Sequence, residues 1–299
     1  MLKGQQQQEC ALGFGFESTA EEVTAGLDLT GQTWLITGVN SGLGHESARV
    51  LAMRGATIIG TARTEEKART TLDDIGGSGH AVACELSDLA SVRAAVATVQ
   101  ALPTLSGILA NAGIMALPNL QQIDGLERQL FVNHVGHAAL VTGLLDHLSP
   151  TARVVMVSSG AHFMARRGIE LDNLSGEDDY DPWRMYGRSK LANLLFAKEL
   201  ARRFEGTRRT ANAIHPGVIR TNLARHIPNA QTWFATLGAR EKTMAQGAAT
   251  QCYVSTHPHT AKLSGAYFSD CAQAKTHEDA RDPEIAAALW RRTEELIAR

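Results

Sequence analysis

Short apolar runs alternate with longer stretches whose apolar positions recur every three or four residues, and this alternation fills most of the 299-residue chain. The short runs predict strands at 33–37 (TWLIT), 57–61 (TIIGT), 80–84 (HAVAC), 107–110 (GILA), 153–158 (RVVMVS), 210–214 (TANAI) and 266–268 (AYF). The longer stretches predict helices over about 42–54, 64–74, 88–100, 122–148, 184–205, 243–256 and 283–298. Asp282 followed by Pro283 marks the start of the last one, because proline suits the first helical position. Near the N-terminus, Ser18 or Thr19 caps a shorter helix with Glu21 and Glu22 in its first turn.

Strands and helices in this rhythm imply parallel strands joined by right-handed crossovers, with helices on both faces of the sheet. Strands buried on both faces are expected to be apolar throughout, as these are. No Pro/Gly/Ser-rich linker and no repeat divides the chain. The expectation is one doubly wound α/β domain over 18–299, preceded by a flexible arm at 1–17. Two segments lack periodicity, about 160–182 and 221–242. Ligands of doubly wound sheets sit beyond the carboxyl ends of the strands, so these loops are the expected pocket walls.

Composition narrows the function. Hydrophobic residues make up 44% and charged residues 20%, enough for a sizeable core. With 29 Lys and Arg against 31 Asp and Glu the net charge is −2, which offers no basic field for a nucleic acid or an anionic membrane. The opening MLKGQQQQECALG places glutamines where a signal peptide needs an apolar run, and no stretch reaches the roughly 18 apolar residues of a membrane span. Cys10, Cys84, Cys252 and Cys271 lie too far apart for a zinc ribbon or a dense disulfide framework. They fit a reducing compartment, and a cytoplasmic protein is expected.

Two local patterns carry candidate chemistry. The first strand runs into TGVNSGLG, with Gly38, Gly42 and Gly44 ahead of a helix. Glycines let backbone N–H groups approach a diphosphate, and the helix N-terminus adds partial positive charge, although glycines also serve helix–strand packing. Tyr186 and Lys190 stand one helical turn apart, where an ammonium would favour the phenolate and lower its pKa. Alone, such a pair is more often a surface feature. Other residues read as structural. His134 and His137 have no third ligand at zinc spacing, so no metal is expected. Ser158 lacks a GxSxG elbow. Arg166, Arg167 and the acidic run 177–181 read as a solvated loop, and Tyr180 has no lysine four residues on.

Taken together, TGVNSGLG, ANAG (110–113), VNHVGH (132–137), VMVSSGAH (155–162), YGRSK (186–190) and HPGVIRT (215–221) occur in an order that resembles the short-chain dehydrogenase/reductase family. The wording SSGAH, the 26 residues between Ser159 and Tyr186, and SKLANLLF are most similar to its retinol-dehydrogenase-type branch, which also holds WW-domain oxidoreductases and light-dependent protochlorophyllide reductases. The resemblance implies a Rossmann-like fold and a catalytic set of Asn133, Ser159, Tyr186 and Lys190. Tyr186 would be the general acid or base and Lys190 would support it and bind the nicotinamide ribose. Ser159 would hydrogen-bond the substrate oxygen, and Asn133 would hold a water linking Lys190 to solvent. It also implies cofactor contacts from Gly38, Asn40, Ser41, Gly42, Leu43 and Gly44 at the glycine turn, and from Asn111, Ala112 and Gly113 beside it. Pro216, Gly217, Val218 and Thr221 would meet the nicotinamide. The family's usual Asp at the adenine is here Glu85, followed by Leu86, and its extra methylene still reaches the same amine.

After the second strand an NAD-preferring enzyme places a carboxylate for the ribose hydroxyls. Here that position is Ala62, followed by Arg63, which leaves room for a 2′-phosphate and supplies a planar fork of donors. NADP(H) is therefore expected over NAD(H), although Ser41 stands where relatives carry a second basic residue. Pocket walls of Phe163, Met164, Trp183 and Met185, facing Ile227, Trp233, Phe234 and Leu237, suit an apolar or aromatic carbonyl or alcohol, with Ser159, Phe163, Trp183 and Tyr186 as the expected substrate contacts. The alternatives are a non-catalytic NADP(H)-binding sensor or scaffold and, less favoured by the turn spacing, a sugar-nucleotide epimerase. A homo-oligomer is expected through the helices at 122–148 and 184–205.

Overall fold

The structure, a computed structural model, describes Cys10, residues 12–227, Asn229, Thr232, Gly238 and residues 240–298. Trp233, Phe234 and Leu237 lie outside the described residues. The central sheet is formed by β1 (Thr33–Thr37), β2 (Thr57–Ala62), β3 (Gly79–Ala83), β4 (Leu105–Ala110), β5 (Leu148–Val157), β6 (Thr210–His215), β7 (Tyr267–Ser269) and β8 (Ala272–Gln273). Their order is β8-β7-β6-β5-β4-β1-β2-β3, and all neighbours are parallel except β7 and β8. The order reverses between β1 and β4, which opens a crevice at their carboxyl ends.

The helices are α1 (Ala20–Val23), α2 (Gly42–Met53), α3 (Glu65–Ile75), α4 (Leu89–Gln100), α5 (128–143, in three segments), α6 (Pro182–Arg203), α7 (Met244–Thr256) and α8 (Pro283–Ile297). Side chains at the expected positions set several starts. Thr19 and Glu22 form a capping box on α1, and Asp282 caps α8. Apolar side chains pack on both faces of the sheet, in one cluster around β5, α5, α6 and α8 and another around β1, α2 and α7.

The helix expected over 122–148 is three things instead. Gln122–Ile123 and Leu126–Glu127 pair as a small antiparallel hairpin. Its turn residues Asp124 and Gly125 take φ of 50° and 75°, the conformation that an Asp-Gly turn favours. The helix α5 then runs through Arg128–Leu130, a π-helical turn at Phe131–Val135 and Gly136–Gly143. From Leu148 the chain is already strand β5, so apolar residues at both ends of that run belong to sheet structure.

One other expectation changes. Of the arm expected over 1–17, the part nearest α1 is packed: Phe14 stands edge-on to Tyr253 at 5.8 Å and His257 at 5.9 Å, and the Cys10 thiol donates to the Tyr253 hydroxyl at 3.6 Å. The chain's own α8 packs on one side of α5 and α6, the helices through which a homo-oligomer is expected. Trp290 stacks on Phe196 at 4.8 Å, Arg203 lies 4.2 Å over the Trp290 ring, and Thr293 Oγ1 is 2.9 Å from His134 Nε2. Among the described residues no helix is long and apolar enough to cross a membrane.

Candidate active site and cofactor cleft

A cavity of about 660 Å³ opens at the carboxyl ends of the strands, between β2 and β6. Gly38, Asn40, Ser41, Gly42 and Leu43 line one end of it. Gly38 and Gly42 take φ of 71° and 60°, which L side chains rarely adopt. Gly44 is not on the wall; a Cβ there would lie 2.3 Å from the Gly38 carbonyl oxygen and 2.6 Å from Asn111 Nδ2, so this glycine lets α2 close onto the turn. At the start of α2, Ser41 makes no side-chain capping bond, whereas Thr64, Asp88, Asp181 and Asp282 cap their helices. First-turn N–H groups of α2 thus have no side-chain acceptor, and with the helix dipole this fits a bound diphosphate.

One hydroxyl ties the cleft together. Thr37, the last residue of β1, accepts at Oγ1 from the N–H groups of Asn111 and Ala112, both at 2.9 Å. The Asn111 side-chain amide donates to the Thr37 carbonyl oxygen at 2.9 Å. Thr37 Oγ1 also lies 2.9 Å from His137 Nε2, and His137 Nδ1 lies 2.9 Å from the Asn133 carbonyl oxygen. A carbonyl only accepts, so Nδ1 carries the proton and Nε2 accepts from the Thr37 hydroxyl. Burial holds His137 down to about 4, so it remains neutral. The two histidines that the sequence reading assigned to packing are indeed buried. His134 meets Thr293 and Phe196, and among the described residues no three His, Cys, Asp or Glu side chains could hold a metal ion.

Three of the four expected catalytic side chains, Ser159, Tyr186 and Lys190, converge on the same cavity from the end of β5 and from α6. Asp181 caps α6 and Pro182 opens it, so that Tyr186 and Lys190 fall one turn apart, facing inward and buried. The Lys190 ammonium donates to the Val157 carbonyl oxygen at 3.0 Å, and Ser158 donates to the Lys190 carbonyl oxygen at 2.7 Å. Ser158 is therefore a brace between β5 and α6. Ser159 Oγ accepts from the Ala161 N–H at 3.1 Å, which leaves its own proton to donate. Asn133 does not line the cavity. Its amide is occupied by Ile114, accepting at 2.8 Å and donating at 2.9 Å, and by Ser189 Oγ at 2.9 Å. Ser189 in turn donates to the Tyr186 carbonyl oxygen at 2.8 Å, which links Asn133 to the helical turn bearing the phenol.

The expected lowering of the phenol pKa is reversed here. Burial pushes Tyr186 up to about 12, opposed only by the hydrogen bond of Ser159, and Lys190 Nζ stands 5.8 Å from the phenol ring centroid. Burial likewise pulls Lys190 down to about 8. Desolvation, which disfavours whichever form is charged, dominates at both groups.

At the far end of the cleft Ala62, Arg63, Glu85 and Leu86 are on the wall. Glu85 is turned back on its own loop, accepting from the Ser87 N–H at 3.0 Å and the Ser87 hydroxyl at 2.7 Å. Arg63 is joined by Arg225, which sequence reasoning missed. The turn Asn222–His226, capped by Thr221, carries Arg225 there, its Nη1 donating to the Asn222 carbonyl oxygen at 3.0 Å. Partial burial and the charge of Arg63 both hold its pKa below the usual arginine range.

Pro216, Gly217, Val218 and Thr221 close the middle of the cleft. Val218–Ile219 pair with Glu241–Lys242, tying the second loop to the body. His215, just before them, was also missed; it lies on the wall and burial lowers it to about 4. The apolar end is made by Met115, Leu117, Trp183 and Leu223, with Gln121, Arg128 and His226 as a polar edge. Trp183 stands edge-on to Tyr186 at 6.4 Å, and Ile227 packs against the same cluster. Phe163 is not on the wall: its ring lies 4.0 Å from that of His162. Met185 is fully buried rather than lining the cleft, whereas Met164 does line it. Tyr180 donates to the Leu117 carbonyl oxygen at 2.7 Å, and Arg167 pairs with Asp178 and Asp179 as a solvated loop should.

Comparison with known proteins agrees with this architecture. The short chain dehydrogenase family profile matches residues 32–232. Retinol dehydrogenase 14 of Homo sapiens is 39% identical over 298 residues, covering 89% of this chain and 86% of its own. Short-chain dehydrogenase TIC 32 B, chloroplastic, of Brassica napus is 38% identical over 300 residues, covering 93% and 92%. Among solved structures, a Mycobacterium paratuberculosis protein superposes with a TM-score of 0.75 at 34% identity, over 92% of this chain and 97% of that one. A Burkholderia cenocepacia short chain dehydrogenase in complex with NADP shares the fold, with a TM-score of 0.66 at 24% identity, over 80% and 96%. The chain belongs to the short-chain dehydrogenase/reductase family, in its retinol-dehydrogenase-like branch.

Burial of neutral histidines around the cleft has a consequence for stability. His134 is held down to about 3, and His137, His162 and His215 to about 4, each chiefly by desolvation. In the unfolded chain each would take up its proton near pH 6.5, so between that pH and about 4 the unfolded state binds more protons than the native one. Stability is therefore complete above about pH 6.5 and is lost as the pH falls toward 4. Thermal unfolding scanned from pH 7.5 to 4.5 is expected to show Tm falling progressively below 6.5, and His137→Gln is expected to flatten part of that fall; a Tm independent of pH over this range would contradict it.

Proposed function

We propose that the protein is an NADP(H)-dependent oxidoreductase that interconverts a ketone or aldehyde with an alcohol on an apolar or aromatic substrate. The observation that carries this reading is that a buried Tyr186–Lys190 pair and an uncapped glycine turn open into one cavity. Bound between them, the nicotinamide would supply or accept the hydride. The phenol of Tyr186, held at about 12, stays protonated at neutral pH and gives its proton to the carbonyl oxygen in reduction. Ser159, within hydrogen-bonding reach of Tyr186, would turn its hydroxyl proton toward the same oxygen and stabilise the negative charge that develops there. Lys190 uses one N–H on Val157, keeps others for the nicotinamide ribose, and its positive charge favours transfer of the proton from Tyr186. Asn133 acts through Ser189 and Ile114, holding the turn of α6 and the strand end in register.

For the cofactor, Arg63 and Arg225 give two cations where a ribose 2′-phosphate would lie, and among the described residues neither forms an ion pair with a carboxylate. The second cation stands in for the basic residue absent at Ser41. The NADP in the Burkholderia cenocepacia neighbour supports the same class of cofactor. For the substrate, Met115, Trp183 and Leu223 support an apolar body, and the retinol dehydrogenase relatives support one of retinoid size. Free cysteines throughout the described residues support a reducing compartment such as the cytoplasm. No observation specifically favours a non-catalytic sensor, which would bind NADPH and turn nothing over.

Reduction of a panel of apolar ketones and aldehydes is expected for the parent and to fall by at least about a hundredfold in Tyr186→Phe, in line with the usual weight of general acid catalysis; unchanged turnover would remove Tyr186 from the chemistry. Cofactor choice is tested separately by kcat/KM with NADPH and NADH. A charge-assisted contact of about 1.5–3 kcal/mol gives on the order of a 10- to 100-fold preference for NADPH, which Arg63→Ala should largely abolish and Arg225→Ala should reduce, with NADH rates little changed. Equal use of the two cofactors by the parent would sink the assignment.

A further inference from the structure

A second cavity, of about 670 Å³, lies at the opposite pole of the sheet, below the amino ends of β1, β5 and β6 and the last turns of α6 and α7. Its wall is basic: Arg153, Arg208, Arg209 and Lys262 face it, against Glu205 alone. Among the described residues none of these four cations is ion-paired. Arg209 is spent on backbone carbonyls, donating to Ser149 at 3.0 Å and Leu145 at 3.1 Å and also to Leu148. Arg153 donates through Nη1 to the His257 carbonyl oxygen at 2.9 Å and to Thr260 Oγ1 at 3.1 Å. Such bonds hold the guanidinium groups in place without neutralising them. Burial pulls Arg153 down to about 10, with no carboxylate nearby to oppose it. Arg208 and Lys262 stand exposed at the mouth.

Two further groups on this wall lack partners. Ser255 Oγ and Thr210 Oγ1 are buried, at 0% and 4% residue exposure, and neither makes a hydrogen bond within the protein. An unsatisfied buried hydroxyl costs free energy unless a water or a ligand meets it. Trp34 and Phe204 supply an apolar floor beside them. Cations without ion-pair partners, beside idle buried hydroxyls, have a common complement in an anion with several acceptor oxygens. We propose that this cavity is a binding site for a small phosphate-bearing molecule. Its anionic head would lie among Arg153, Arg208 and Lys262 and take hydrogen bonds from Ser255 and Thr210. With three net positive charges on the wall, a phosphate dianion suits the site better than a single carboxylate, and its several acceptor oxygens match the fork of an arginine.

The site is separate from the cofactor cleft. Arg153 and Val157 mark the two ends of the paired part of β5, four residues or roughly 13 Å apart. The test is calorimetric titration of the full chain, saturated with NADPH and at constant ionic strength, with inorganic pyrophosphate as the probe. One saturable site per chain is expected. The double charge reversal Arg208→Glu with Lys262→Glu alters two exposed rim residues and should weaken binding at least about tenfold, the effect of losing charge-assisted contacts. Ser255→Ala, which removes only the buried hydroxyl, should weaken it several-fold, and Arg63→Ala should leave it unchanged. No saturable heat, equal binding by the charge-reversed chain, or loss of binding in Arg63→Ala would overturn the proposal. Release of NADPH by pyrophosphate would also overturn it, by placing the anion in the cofactor cleft.

Discussion

The hydroxyl of Thr37 is the point on which the cleft depends. It accepts two backbone N–H groups from the loop after β4 and gives its proton to His137, whose other nitrogen holds the Asn133 carbonyl. One strand end, one loop and the π-helical turn of α5 are thereby fixed to each other. Buried polar networks of this kind are stable only when every member is satisfied. The arrangement works with neutral His137 alone: a second ring proton would face a hydroxyl already committed to two donors and would strand at least one of them. Burial keeps the ring neutral, so the packing around it also fixes its hydrogen-bond directions. Asn133, set by this network, passes the register on to Ser189 and the turn that carries Tyr186.

From there the electrostatics divide the cleft in two. Tyr186 and Lys190 are buried, and both shift toward their uncharged forms, the phenol up and the ammonium down. In such surroundings a hydrogen bond or charge aimed at the substrate oxygen acts more strongly than it would in water. Toward the glycine turn and Arg63 the wall is polar and cationic, with uncapped N–H groups of α2. A nicotinamide dinucleotide would fit that gradient, with its diphosphate at the glycine turn, its adenosine ribose toward Arg63 and its nicotinamide toward Tyr186.

Much of this was legible in the sequence because parallel sheets bury both faces of each strand, so apolar runs stand out against the helices between them. Gly38 could be found because it directly follows a strand, and Tyr186 and Lys190 because their one-turn spacing falls within an ordered set of motifs. The helix expected over 122–148 failed for a local reason: Asp124 and Gly125 form a turn whose signal was outweighed by the apolar residues on either side. Phe163 and Met185 were taken for pocket walls, but the side on which a single residue of a short turn or helix start points depends on packing that no periodicity encodes. Arg225 is the converse case. It lies 162 positions from Arg63 in a stretch without periodicity, and only the fold brings the two cations to one wall. The packing of α8 on α5 and α6 was equally hidden, since Trp290 and Thr293 read simply as part of an amphipathic terminal helix.

The central claim is that this cleft delivers hydride from a nicotinamide to a carbonyl carbon while Tyr186 supplies the proton. Reduction of an accepted ketone or aldehyde with NADPH deuterated on the transferred face of C4, followed by mass spectrometry of the product, tests this most directly. The account predicts one deuterium in each alcohol formed, bound to carbon and retained on exchange into ordinary water. Alcohol formed without carbon-bound deuterium, with both faces of C4 tried in turn, would contradict it.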